Sequence, residues 1–173
     1  TGVDATKAYI DFANNHFEDK NVNFEIQDVF DIESHHHNSY EIVFCCNVLL
    51  HLPSVIEPIK NLLLASKKYC FIRTLVAEKT HLSQYLYTDS FDSEGNPNNF
   101  VYENTYSYKY IEDLIKSYGD YSVEFIDDEF NSSAINQEFD SHASIQDAVT
   151  KSWDGIQIAG SKVFEWKWIK VSK

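Results

Sequence analysis

Apolar positions in this chain fall in short blocks whose spacing alternates between strand and helix periods. Ile42, Val43, Phe44, Cys45 and Cys46 form a continuous apolar run too short for a helix, which predicts a buried strand. The run stops at Asn47, polar groups follow at Asn47 and His51, and Pro53 suits the first turn of a helix. Upstream, Gly2, Val3 and Asp4 read as the end of a strand. Ala8, Tyr9, Phe12 and Ala13 recur at helical spacing and predict a helix over residues 5–17. Residues 22–29 alternate, with Val22, Phe24 and Ile26 on one side, and predict a half-buried strand ending at Asp28. Residues 31–39 read as a polar connector carrying His35, His36 and His37.

Downstream, Val55, Ile56, Ile59 and Leu62 to Leu64 give a broad apolar face to a helix over residues 54–66. Residues 68–76 are the next buried strand. The alternation predicts a parallel α/β sheet. Residues 77–105 break it with the turn-rich DSEGNPNN and read as an insertion, a lid or substrate-side segment. An amphipathic helix is expected over 108–118, stopped by Gly119, and a strand over 121–130. Residues 131–155 are polar and mixed, a second insertion with short helices expected around 144–151. The last strand is expected over 162–171, pairing with 121–130 as an antiparallel edge hairpin.

Composition narrows the function. The chain has 173 residues, a net charge of −13 and 15% aromatic residues, which suits a single domain with an aromatic-rich core or pocket. Such acidity, with no basic stripe, argues against a nucleic-acid partner. No stretch approaches the ~20 apolar residues of a membrane helix. Three cysteines in apolar runs, two of them adjacent, predict reduced thiols and a cytoplasmic protein. Three neighbouring histidines on a connector do not make a closed metal site.

The runs GVDAT, FEIQDVFD, YEIVFCCNVLLHLP and KKYCFIRTLV together resemble a class I S-adenosylmethionine-dependent methyltransferase of the small-molecule (sugar or secondary-metabolite) type. The resemblance covers residues 1–76 by motif and 108–171 by order of elements. It implies an α/β fold, a Rossmann-like, mostly parallel sheet with an antiparallel edge strand. It also implies that S-adenosylmethionine is the cofactor and a small molecule the methyl acceptor. Asp4 matches the acidic residue that binds the ribose hydroxyls. Asp28, with Val29 beside it, matches the carboxylate that takes the adenine amine, and Cys46 and Asn47 match the segment near the methionine part.

Each residue also has a plainer use. Asp4 suits a helix cap, Asp28 a strand-end turn, and Cys45 and Cys46 the core. His51 is a candidate base or a packing residue. Arg73 suits an anionic substrate or a balance for nearby carboxylates. Tyr106 and Tyr108 suit the acceptor pocket or the core. A methyltransferase-fold module without catalysis, and more weakly a nicotinamide dehydrogenase, remain alternatives.

The family's Gly-rich loop has no counterpart here, since the sequence contains no G-x-G. In the family that loop follows a first strand at the sheet centre, and its absence predicts a gap of two strand spacings, ~9–10 Å. The expectation is that an N-terminal strand–helix unit is missing from this chain. Oligomeric state is not legible.

Overall fold

The computed structural model describes residues 1–17, 21–88, 90–128, 151–153, 156–159 and 162–173. In chain order, β1 (Gly2–Asp4) leads through α1 (Lys7–His16) to β2 (Phe24–Ile26), and α2 (Ile32–His36) leads to β3 (Tyr40–Cys46). A 3-10 turn (Leu49–His51) and α3 (Ile56–Ala65) follow, and α3 passes directly into β4 (Ser66–Ala77). The first insertion holds β5 (Gln84–Leu86) and β6 (Phe100–Tyr102), an antiparallel ribbon prolonged by bridges at His81–Thr105 and Phe91–Pro97. Then come β7 (Tyr106–Ser107), α4 (Tyr108–Ser117) and β8 (Ser122–Asp127). The remaining strands are β9 (Lys151–Trp153), β10 (Ile156–Ala159), β11 (Lys162–Phe164) and β12 (Trp166–Ser172).

The main sheet runs β3-β4-β12-β8, with β7 pairing parallel beside the last two residues of β4, and β1 and β2 form a separate parallel pair. β3 is parallel to β4, while β12 is antiparallel to both β4 and β8. The antiparallel strand therefore stands one place in from the edge rather than at it. The expected last strand is broken at Glu165 into β11, which joins the β9-β10 ribbon, and β12.

The core lies on one face of the main sheet, under α3 and α4. Ile59 and Leu63 of α3, Ile72 and Val76 of β4, Ile111 and Ile115 of α4, and Ile169 and Val171 of β12 are at most 1% exposed. Each such side chain is worth ~1.5–3 kcal/mol of burial. β3 departs from expectation. Its Cys45 joins the core, but Ile42, Phe44 and Cys46 on the other face are exposed. α1 likewise buries Ile10 and leaves Tyr9 and Phe12 exposed.

The expected polar connector contains α2, whose Ile32 and His36 are buried. Helices expected around 144–151 fall, but for residue 151, outside the described residues, and Lys151 itself begins a strand. Among the described residues, no helix is long and apolar enough to cross a membrane, and no cluster of three His, Cys, Asp or Glu could hold a metal.

Candidate functional site

Asp4 closes β1, Asp28 follows β2 by two residues, and Cys46 closes β3. All three, with Val29 and Phe30, line one cavity of about 620 Å3. Both aspartates also serve the local chain. Asp4 Oδ1 accepts the Thr6 N–H at 2.7 Å and Asp28 Oδ1 accepts the Phe30 N–H at 3.0 Å. These short-range bonds fix each carboxylate at its strand tip.

The segment beside Asp28 is held from behind by a residue that sequence reasoning passed over. Asn61, a buried polar residue on the apolar face of α3, donates Nδ2 to the carbonyls of Val29 (3.1 Å) and Phe30 (2.8 Å). Its signal was an amide in a row of leucines, where a polar side chain needs a buried partner.

The ionisable or hydroxyl-bearing side chains at the cavity are Asp4, Asp28, His36, Tyr40, Cys45, Cys46 and Thr1, and among the described residues no Lys or Arg lines it. Carboxylates with no cation suit a ligand rich in hydroxyl and amine donors and carrying positive charge.

At the end of β3, Asn47 adopts a left-handed backbone (φ 58°). Its N–H donates to the Arg73 carbonyl at 3.0 Å, and its Oδ1 accepts from Arg73 Nη1 at 2.5 Å. Arg73 is otherwise committed to Asp128, through Nε at 2.8 Å and through Nη2, with its guanidinium 4.2 Å from the Trp166 ring centre. Asn47 is not among the residues lining the cavity, although Cys46 and Val48 on either side are. The guanidinium is thus engaged within the fold rather than offered to a ligand.

Burial pushes the Cys46 thiol up against the opposing pull of Arg73. Burial pushes Cys45 up to about 12 and Cys70 further still. All three thiols are free and in their neutral form near pH 7.

His51 stands on the 3-10 turn, outside the cavity lining, with Nδ1 3.0 Å from the Tyr102 carbonyl. A carbonyl only accepts, so in the neutral ring Nδ1 is the nitrogen that carries the proton and Nε2 the one that presents the lone pair. The first insertion, through Tyr102 of β6, therefore sets the tautomer of His51. Tyr106 is 2% exposed, and its hydroxyl, pushed up to about 12 by burial, donates to the Leu49 carbonyl and accepts from Asn104 Nδ2. Tyr108 is half-buried, edge-on to Phe125 at 4.9 Å. Neither tyrosine lines the cavity: Tyr106 sits in β7 within the core, and Tyr108 opens α4 against β8.

The sequence matches no family profile and no curated protein. The structure does have counterparts. An S-adenosylmethionine-dependent methyltransferase from Mesorhizobium loti superposes with a TM-score of 0.58 at 10% identity, covering 99% of this chain and 79% of that one. A SAM-dependent methyltransferase from Archaeoglobus fulgidus superposes with a TM-score of 0.52 at 16% identity, covering 99% and 75%. The architecture built up above is therefore the Rossmann-like α/β fold of the S-adenosylmethionine-dependent methyltransferases.

Proposed function

We propose that this chain binds S-adenosylmethionine and directs its methyl group to a small-molecule acceptor, in the class of sugars or secondary metabolites. The observation that carries the reading is the convergence of Asp4, Asp28 and Cys46, at or just beyond three strand ends, on one cavity that no Lys or Arg among the described residues lines. Open α/β sheets bind ligands outside the carboxyl ends of their strands. Asp4 is assigned to the ribose hydroxyls and Asp28 to the adenine amine, with Val29 and Phe30 flanking the ring. Cys46 borders the methionyl part, and Asn47 beside it acts from behind through its bonds to Arg73. When bound, the sulfonium supplies the activated methyl group, so the protein's share is binding, orientation and exclusion of water. His51, with its free Nε2, is the candidate base for an acceptor that must lose a proton. Arg73, Tyr106 and Tyr108 act behind the site, holding the strand ends in place. The cysteine pattern keeps the assignment to a reducing cytoplasm.

The test is calorimetric titration of the protein with S-adenosylhomocysteine. The expected result is micromolar binding, about −8 kcal/mol, abolished in Asp4→Ala and weakened in Asp28→Asn while the fold persists. Absence of binding overturns the reading.

A second reading, a methyltransferase-fold module that binds without transfer, is favoured by one observation. The residues assigned above serve the adenosine side, and residues 1–173 contain no G-x-G turn to serve the methionyl side. Methyl transfer from labelled cofactor to a panel of small acceptors separates the two.

A further inference from the structure

From Tyr102 to Tyr106 the chain has a neighbour on each side. In an antiparallel pair, backbone groups alternate between facing the paired strand and facing away. The Glu103 N–H donates to the Ser83 carbonyl, and Thr105 and His81 exchange N–H···O bonds in both directions. Residues 103 and 105 are therefore spent on the ribbon side. Tyr102 and Asn104, one step out of phase, turn their backbone the other way, toward the 3-10 turn that carries His51. The Tyr102 carbonyl lies 3.0 Å from His51 Nδ1, and the Asn104 N–H donates to the Leu50 carbonyl at 2.9 Å.

Asn104 is 1% exposed. Its Nδ2 donates to the Leu52 carbonyl at 2.9 Å and to the Tyr106 hydroxyl at 3.2 Å, and its Oδ1 accepts the Ser83 N–H at 3.1 Å. A donor on one side and a carbonyl on the other admit one orientation of the amide. Leu50 and Leu52 flank His51 in sequence. One buried residue thus grips the backbone on both sides of the histidine, once through its main chain and once through its side chain. His51 itself is exposed, and a three-residue 3-10 turn has few bonds of its own to hold a ring still.

We propose that Asn104 is the positioning residue of His51. By fixing the 3-10 turn against the chain that leaves β6, it keeps the ring on the Tyr102 carbonyl, in the Nδ1–H tautomer, with the lone pair on Nε2. An unconstrained neutral imidazole carries its proton on either nitrogen. A ring protonated at Nε2 has no lone pair there to receive another proton. The first insertion therefore does more than stand beside the sheet: its root decides which nitrogen of His51 acts as a base.

In the Nδ1–H form, the proton of an acceptor's O–H or N–H passes to the Nε2 lone pair, and the electron pair of that bond stays on the acceptor atom. The ring is then an imidazolium. Its bond to the Tyr102 carbonyl becomes charge-assisted and roughly twice as strong, so the contact that selects the tautomer also steadies the charged ring. This use of the lone pair rests on the methyl-transfer reading and deepens it, because it commits the acceptor to an oxygen or nitrogen that carries a proton. The tautomer lock rests on the hydrogen bonds alone.

Two-bond proton–nitrogen correlation spectra of the protein read the tautomer at mildly alkaline pH, above the ordinary imidazole pKa, with His51→Gln assigning the signal. The wild-type His51 ring is expected in the Nδ1–H form. The Nε2–H form, or an even mixture, overturns the proposal. Asn104→Asp keeps an acceptor for the Ser83 N–H and removes the donor to Leu52. The ratio of Nδ1–H to Nε2–H is then expected to fall roughly fivefold to tenfold, the worth of one hydrogen bond, while the His16 and His36 signals stay in place. Asn104→Ser, uncharged and smaller, gives the same reading where the aspartate does not fold. A folded variant with an unchanged His51 ratio overturns the proposal. Titration with S-adenosylhomocysteine separates the two readings. A locked ring in a protein that does not bind it sinks the cofactor reading and leaves the lock, and binding with an unlocked ring does the reverse.

Discussion

Arg73 of β4 and Asp128, one residue beyond β8, are joined across the intervening strand β12 where the sheet ends. Two guanidinium nitrogens reach Asp128 Oδ2, and Trp168 Nε1 donates to Oδ1 at 3.2 Å. The side chains are 19% and 23% exposed. Charge-assisted bonds in a half-shielded position outweigh an ordinary surface pair. Arg73→Ala is expected to cost about 2–3 kcal/mol, read from urea unfolding. Arg73→Lys should recover only part of this, because an ammonium cannot fork between Asp128 and Asn47. A loss no larger than that of an exposed pair would show the clasp to be incidental.

Asn47 is the residue the clasp holds in the left-handed region. Asn47→Ala is expected to cost about 1–2 kcal/mol in backbone strain, besides its bond to Arg73. Asn47→Gly loses the same bond without that strain, so it should unfold at a higher denaturant concentration than Asn47→Ala. The reverse order would deny the backbone role.

The buried thiols give a pH dependence with a definite sign. In the unfolded chain they ionise near their ordinary value, while in the fold Cys45 is pushed up to about 12 and Cys70 is raised as well. Their contribution is complete below the ordinary thiol pKa and is lost as pH rises toward the folded value, so stability should fall above about pH 9. Cys45→Ala and Cys70→Ala should each flatten that fall, measured by denaturant unfolding between pH 8 and 11. Cys46, exposed but also raised, should react first with a thiol reagent, and faster as pH rises.

Tyr106→Phe removes a hydroxyl that bonds the Leu49 carbonyl at 3.3 Å, while Asn104 Nδ2 keeps the Leu52 carbonyl at 2.9 Å. The expected loss is about 1 kcal/mol, with cofactor affinity unchanged. A loss of cofactor affinity beyond what this destabilisation explains would show that Tyr106 does more than pack.

Strands and helices were legible where apolar spacing was regular, as in β4, α3 and α4. α2 was hidden because His, Ser and Glu fill it and only Ile32 and His36 turn inward. β3 read as buried throughout because five apolar residues in a row say nothing about what covers them. The break at Glu165 was masked by continuous alternation on either side. At the site, Asp4, Asp28 and Cys46 could be read as strand tips, since the last residue of an apolar run marks the sheet's end. The commitments of Arg73, Asn61 and Tyr106 depend on partners 26 to 57 residues away, which no local pattern encodes.

α3 ends at Ala65 and β4 begins at Ser66 with no connector between them. The chain's long excursions instead leave from the far tips of β4 and β8, the end that carries Arg73, Asp128 and Asn47. Length and chemistry can be added there without disturbing the isoleucine-rich layer beneath. Descendants of this sequence could thus diverge in the molecules they accept while inheriting one unaltered foundation.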